Sequence, residues 1–280
     1  MHTWHWRSWK GASYLTCSLL EAWPHGFFTR QFQQQTPADL STIMAPQAQT
    51  YRVKQVHGNQ VLRSQEVAIY HQQMTEFPQP ERPAYPEADG LMSDGHHQAV
   101  WVCTADCTPV LIADTRTGQV AAVHAGWRGT AAKIVPVAVA QLQEQGSRLA
   151  DLRVAMGPAI AGQVYQVSTE VAAEVGASVI DLDGMMLPEW NGDRTSIPEL
   201  LQRFPEPPVF KDDQPGHVRL DVRRINAMQL EQLGLDREQV AIAPHCTYQE
   251  PEQFFSYRRD NQKQIQWSGI VSSPPNNAKS

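Results

Sequence analysis

Trp101 to Ile134 reads WVCTADCTPVLIADTRTGQVAAVHAGWRGTAAKI. Two apolar runs, Val100 to Cys103 and Val110 to Ala113, flank the polar corner Thr104-Ala105-Asp106-Cys107-Thr108. A third run, Val120 to His124, follows the Thr117-Gly118 turn. Short apolar runs with β-branched residues, bounded by turn residues, predict three buried strands. Cys107 falls in the first corner, and His124 falls just before Ala125-Gly126-Trp127-Arg128-Gly129. Both reactive side chains therefore sit at strand ends, where a rigid sheet can hold them. Taken singly, each also fits a packing role, Cys107 as a small buried hydrophobe and His124 as a satisfied core histidine.

Val53 to Val61 reads VKQVHGNQV, which predicts a strand, a His-Gly corner and a second strand, with His57 at a strand end. One thiolate and two imidazoles are a ligand set for a single metal ion. Three protein ligands with an open position is the arrangement of catalytic zinc.

Around this centre the chain predicts strands and helices mixed without a regular βαβ rhythm. Tyr14 to Leu19 is expected to begin the sheet, with the Trp4 to Trp9 cluster packing an edge or a partner surface. His25 reads as a solvated or capping residue before Phe27 and Phe28. Tyr70 to Glu87, carrying Pro78, Pro80, Pro83 and Pro86, predicts an exposed loop. Thr130 to Gln145 is helical in composition, but Pro136 must start or kink a helix there. Leu152 to Met156 is a strand, and Ser168 caps a helix over Thr169 to Val175 that Gly176 stops. Asp181 to Gly216 predicts loops with a short helix near Ile197 to Arg203. Asp221 caps a clearer helix ended by Gly234, and strands follow at Gln239 to Ala243 and Ile265 to Val271. Ser272 to Ser280 is expected to be a disordered tail behind a single domain of residues 1–271.

The chain has 280 residues, 41% of them hydrophobic, enough for one large core. A net charge of −6 gives no broad basic surface, which argues against nucleic acid held through phosphate contacts. The apolar run Leu15 to Leu20 is broken by Thr16, Cys17 and Ser18. It is neither a signal peptide nor a membrane span, so no membrane partner is expected. Four scattered cysteines without a CxxC pair suit a reducing cytoplasm.

The strings QVHG (55–58), ADG (88–90), TADC followed by Pro109-Val110, AAVHAGWRGT (121–130), GPAI (157–160), and CTY with FFSYRRD (246–260) occur in this order. Together they resemble the YfiH family, long labelled polyphenol oxidase or laccase and now read as purine nucleoside phosphorylase with adenosine deaminase activity. The resemblance covers most of the chain, from about Lys54 to Asp260. It implies a layered α/β sandwich of α+β type with mixed sheets, similar to toxin cysteine deamidases. It also implies metal ligands at His57, Cys107 and His124, with zinc as cofactor and a purine nucleoside and phosphate as partners. In that reading zinc activates water for attack at C6 of adenosine, and Asp106, beside a ligand, is the expected proton carrier. For phosphorolysis, Arg128 and Arg258 are the expected grips on phosphate.

A laccase centre needs paired His-x-His motifs, and the ten histidines here include none, so phenol oxidation is not the expected activity. Copper bound adventitiously at an N/S site remains compatible with a weak oxidase signal. Two rival readings stay open: a metal-free cysteine hydrolase with Cys107 as nucleophile and His124 as base, and a zinc-stabilised binding protein. His71 and His96-His97 read as solvated, whereas His245 and Cys246 fit a pocket or a packing role equally.

Overall fold

The computed structural model describes residues 2–77, 81–180 and 192–275. Two six-stranded mixed sheets stack face to face. The first runs, in spatial order, β1 (Trp4–Trp9), β2 (Ala12–Cys17), β3 (His25–Phe28), β15 (Gln266–Val271), β7 (Gln98–Thr104) and β4 (Gln49–Arg52). The second runs β14 (Val240–Ile242), β10 (Leu152–Met156), β8 (Thr108–Asp114), β9 (Val120–Ala125), β6 (Gly90–Met92) and β5 (Val61–Arg63). Three neighbouring pairs are parallel, namely β4 with β7, β5 with β6 and β10 with β14, which makes both sheets mixed.

The period-two alternation of side chains sorts these strands into layers. Val100 and Val102 of β7 meet Leu111 and Ala113 of β8 and Val120 and Ala122 of β9 in the core between the sheets. The alternate residues face outward. Ala99 and Trp101 pack with Phe28 and Leu40, the latter from α1 (Pro37–Met44). Val110, Ile112, Ala121 and Val123 pack against α4 (Ile134–Glu144) and α7 (Val222–Leu233). The expected layered α/β sandwich with mixed sheets is the architecture observed. A third sheet, β11 (Gln166–Ser168), β13 (His217–Leu220) and β12 (Val209–Lys211), packs with α5 (Thr169–Gly176) and α6 (Ile197–Leu201) around its own apolar cluster.

Local chemistry fixes the element ends. Ser168 caps α5 through Val171 N, Asp221 caps α7 through Arg224 N, and Gly234 ends α7 at φ 96°. Lys133, left-handed at φ 57°, separates α3 (Trp127–Ala131) from α4, and Pro136 lies in the first turn of α4, where its missing N–H costs nothing.

Several expectations change. The sheet begins at Trp4, because Trp4–Trp9 pairs along its length with β2 as an edge strand. His25 is buried rather than solvated: its Nε2 accepts from Cys17 N and its Nδ1 donates to Trp23 O, each at 2.8 Å. The proline-based loop starts late, since α2 (Ser64–Glu76) takes up the expected loop's first stretch, Tyr70 to Glu76, before the first proline. Pro78 and Pro80 lie outside the described residues, as do 181–191 of the loop expected from Asp181. The tail starts packed, with Ser272 2% exposed and its hydroxyl bonded to Gly95 O and Gln98 N. Residues 276–280 of the expected tail lie outside the described ones.

Candidate metal centre and its cavity

Three corners deliver the candidate ligands. Cys107 follows Asp106, whose φ of 85° turns the chain between β7 and β8. The turn is pinned by Ile160 N donating to Asp106 O at 3.0 Å. His124 is the penultimate residue of β9, directly ahead of α3. His57 stands in a turn five residues beyond β4, left-handed at φ 63°, rather than at the very end of a strand. One ligand atom from each of the three residues lies within 4.8 Å of the others. The two imidazoles meet edge to face, with centroids 4.8 Å apart and planes at 83°. His57 is exposed, Cys107 half-buried and His124 buried, so the cluster reaches from solvent to core.

Asp89, part of the ADG string, ties the cluster together. Its carboxylate is fully buried. Oδ1 accepts from His57 N at 2.8 Å and pairs with His124 Nδ1 at 2.8 Å, while Oδ2 accepts from Gly58 N at 2.7 Å and Val56 N at 3.1 Å. Burial alone would raise this carboxyl, but the His124 hydrogen bond and the backbone amides outweigh it and hold the pKa below the usual range.

The space between the ligands is kept open by Gly126. A Cβ there would sit 2.9 Å from Cys107 Sγ, 3.5 Å from His57 Cδ2 and 3.7 Å from His124 Nε2. The backbone needs no glycine, since φ is −73° and ψ 170°, so it is the space that a side chain would take away. An ion-sized gap ringed by one thiol and two imidazoles matches a borderline-soft metal such as zinc or copper. At Gly129 a Cβ would lie 2.9 Å from Gly58 O, so the glycine lets α3 close against the His57 turn.

The electrostatics favour a charged cluster. Burial would raise the Cys107 thiol, yet the His124 and His57 imidazoles beside it bring it down to about 6. Burial would lower His124, but the Cys107 sulfur and Asp89 raise it to about 9. Neighbouring Cys103 goes the other way, pushed up by burial to about 11.

The cluster lines a cavity of about 460 Å³ whose other walls include Gln55, Asp106, Tyr165, Arg258 and Lys263. Larger depressions of about 820 and 710 Å³ share no residue with it and collect no such donors. Arg258 lies in the cavity wall with its guanidinium 4.9 Å from the Tyr165 ring centroid and Nη1 donating to Gln166 O at 2.7 Å. Arg128 is exposed and stacks on neighbouring Trp127 at 4.1 Å; it is not among the cavity's walls. Arg259 turns away, bonding Thr247 O, Tyr248 O and Phe254 O.

Asp106, the expected proton carrier, lines the cavity but has both oxygens engaged. Oδ1 accepts from Thr247 Oγ1 and Oδ2 from Arg258 N, each at 2.7 Å. Through these two contacts it braces the main chain of Arg258 against the Cys107 corner. Cys246 is buried, with its sulfur accepting from Ala161 N at 3.2 Å, which is a packing role. Sequence reasoning passed over Tyr165 and Lys263, which carry no motif of their own. Asp89 has a signal in the sequence, an acid before glycine in the ADG string that lies between the two histidine corners.

Residues 33–271 match a family model described as multi-copper polyphenol oxidoreductase laccase. The chain is 51% identical over 269 residues to a purine nucleoside phosphorylase of Synechocystis sp., covering 96% of this chain and 97% of that one. It is 28% identical over 171 residues, 61% of this chain and 56% of the other, to the adenosine deaminase RL5 of an unknown prokaryotic organism. Its fold matches the crystal structure of Bacillus licheniformis YfiH with a TM-score of 0.70 at 22% identity, over 96% of this chain and 99% of that one. Motifs, fold and these relatives agree: the chain belongs to the YfiH family.

Proposed function

We propose that this chain is a purine nucleoside enzyme, a phosphorylase for adenosine, inosine, guanosine or methylthioadenosine that also deaminates adenosine with the help of zinc. The observation that carries the reading is the meeting of His57, Cys107 and His124 around the Gly126 gap, in the wall of a cavity that also holds Arg258. The 51% identity to a protein named purine nucleoside phosphorylase supports the substrate class.

His57, Cys107 and His124 would hold the metal, which when bound supplies a Lewis acid that activates water. The chain's own groups do the rest. Asp89 takes His124 Nδ1–H, so Nε2 is the nitrogen turned toward the Cys107 sulfur. In phosphorolysis a phosphate oxygen bonds C1′ of the ribose as the bond to the purine nitrogen breaks, and the purine leaves with a proton. Arg258 is placed to grip the anion, with Lys263 as a second cation in the wall. Burial and the nearby Cys107 sulfur push Tyr165 up to about 12, so its phenol stays a neutral donor. Arg128, outside the wall, contributes its charge from a distance.

One group of donors does not make a multicopper centre, and among the described residues there is one such group. Copper is therefore proposed as an adventitious occupant. Among the described residues no helix is long and apolar enough to cross a membrane, and the four cysteines are free, which supports a cytoplasmic location.

A second reading has an observation of its own. Cys107, His124 and Asp89 stand in the order of nucleophile, base and orienting carboxylate. In it His57 would help to lower the thiol, but the Gly126 gap is left without a purpose, which is why the metal reading is preferred. Incubating the protein with adenosine, with and without phosphate, tests the proposal. Adenine and ribose 1-phosphate mark phosphorolysis, inosine marks deamination, and neither product appearing would reject it.

A further inference from the structure

We infer that Asp89 is the positioning residue that turns two separate histidine corners into one divalent-metal site. The inference rests on the metal reading above. His57 lies in the connection from β4 of the first sheet to β5 of the second, His124 lies in β9 of the second, and Asp89 is bonded to both. A single oxygen, Oδ1, takes the main-chain N–H of His57 and faces the ring Nδ1 of His124. Its main-chain carbonyl takes His124 N at 2.7 Å as well.

Two physical consequences follow from this geometry. Three successive amides, Val56, His57 and Gly58, converge on one carboxylate, and that convergence holds His57 at its unfavourable φ of 63°. The same carboxylate holds the His124 proton on Nδ1, which leaves Nε2 as the nitrogen that would give up its proton to a metal.

Charge balance gives a third. A thiolate and two neutral imidazoles carry one negative charge, and fully buried Asp89 adds a second. Asp89 has no lysine or arginine partner among the described residues' ion pairs; its one such contact is His124. The attraction of the Asp89 carboxylate for an ion held by its neighbours grows with that ion's charge, so it favours a dication over a monovalent ion such as copper(I). Asp89 therefore selects for a divalent ion as well as aiming the ligands.

The test is zinc titration of metal-free wild type and Asp89→Asn against a chromophoric chelator, with a parallel copper(I) titration and the melting point of each metal-free protein. Asn keeps the shape and removes the charge. We expect zinc affinity to fall by about tenfold to a hundredfold, the usual effect of losing an outer partner of a ligating histidine. Copper(I) affinity should fall less, a change in preference that a purely structural role would not produce. Equal zinc affinity in the two folded proteins overturns the inference, as does an unchanged zinc-to-copper(I) preference. Failure of wild type to bind zinc at all would instead remove the metal reading beneath it. Should the variant not fold, nitrogen NMR of the His124 ring in zinc-loaded wild type decides. A proton on Nδ1 with the metal on Nε2 supports the inference, and the reverse overturns it.

Discussion

The main-chain nitrogen of Arg258 donates to the carboxylate of Asp106 at 2.7 Å, across 152 positions of sequence. The corner that presents Cys107 and the short helix α8 (Tyr257–Asp260) that presents Arg258 are thus one unit. Replacing Asp106 with Asn, a residue that tolerates its φ of 85°, should loosen the arginine and leave the metal ligands in place. The expected result is a phosphate KM raised about tenfold, as losing a hydrogen bond to a charged acceptor, about 1.5 kcal/mol, requires. Zinc content should stay at the wild-type level. A collapse of kcat with phosphate KM unmoved would return Asp106 to the proton-carrying role.

Arg258→Ala removes the grip itself. Phosphate KM should rise by about tenfold to a hundredfold while the KM for nucleoside changes little, because a charge-assisted contact to the anion alone is lost. Arg128→Ala, which trims an exposed side chain stacked on Trp127, should have a much smaller effect. Steady-state kinetics with phosphate as the varied substrate would separate them, and a larger effect at Arg128 would reverse the assignment.

Gly126→Ala probes the gap between the ligands. Its backbone angles suit alanine, so the fold should survive, but the new Cβ would stand 2.9 Å from Cys107 Sγ and within 3.7 Å of His124 Nε2. Zinc retained after dialysis should drop by about tenfold or more, given that outer contacts alone are worth that much. Elemental analysis showing full zinc in this variant would mean that the gap is not the metal position.

The pH dependence of alkylation reads the thiol directly. In metal-free protein the Cys107 thiol, brought down to about 6, is largely thiolate at neutral pH, while Cys103, pushed up to about 11, is protonated. Thiolate is the reactive form, so lowering the pH reduces labelling only as it falls through about 6 for Cys107. Iodoacetamide should therefore label Cys107 at pH 7 well ahead of Cys103, and bound zinc should protect it. A Cys107 rate that is already dropping about tenfold per pH unit between 8 and 7, as an ordinary thiol near 8.5 approaches, would contradict the charged cluster.

Where side chains follow a period or a cap, the sequence was sufficient. The three strands from Val100 to His124 alternate between the inter-sheet core and an outer face, which packs with Phe28 and Leu40 for β7 and with α4 and α7 for β8 and β9, and Ser168, Asp221 and Gly234 end their helices as their chemistry requires. Trp4–Trp9 was harder, because an edge strand whose central residues face solvent lacks the apolar alternation of a half-buried one. His25 looked like a turn residue, since only the folded chain puts Cys17 N and Trp23 O against its ring. The grouping of His57, Cys107 and His124 was legible from motifs, but the walls were not: Tyr165 and Lys263 come from loops whose meeting with Cys107 is purely tertiary. The contacts of Asp106 were hidden for a related reason. Its neighbour is a candidate ligand, and a left-handed backbone turns its own carboxylate onto Thr247 and Arg258.

The central claim is that His57, Cys107 and His124 act through a metal and not through a sulfur nucleophile. The most direct measurement is adenosine turnover by protein stripped with a chelator and then reloaded with one equivalent of zinc, with the intact mass followed throughout. Inosine formation should vanish on stripping and return on reloading, with no substrate-derived mass on the chain. Undiminished turnover by the stripped protein, together with a covalent adduct on Cys107, would contradict the account.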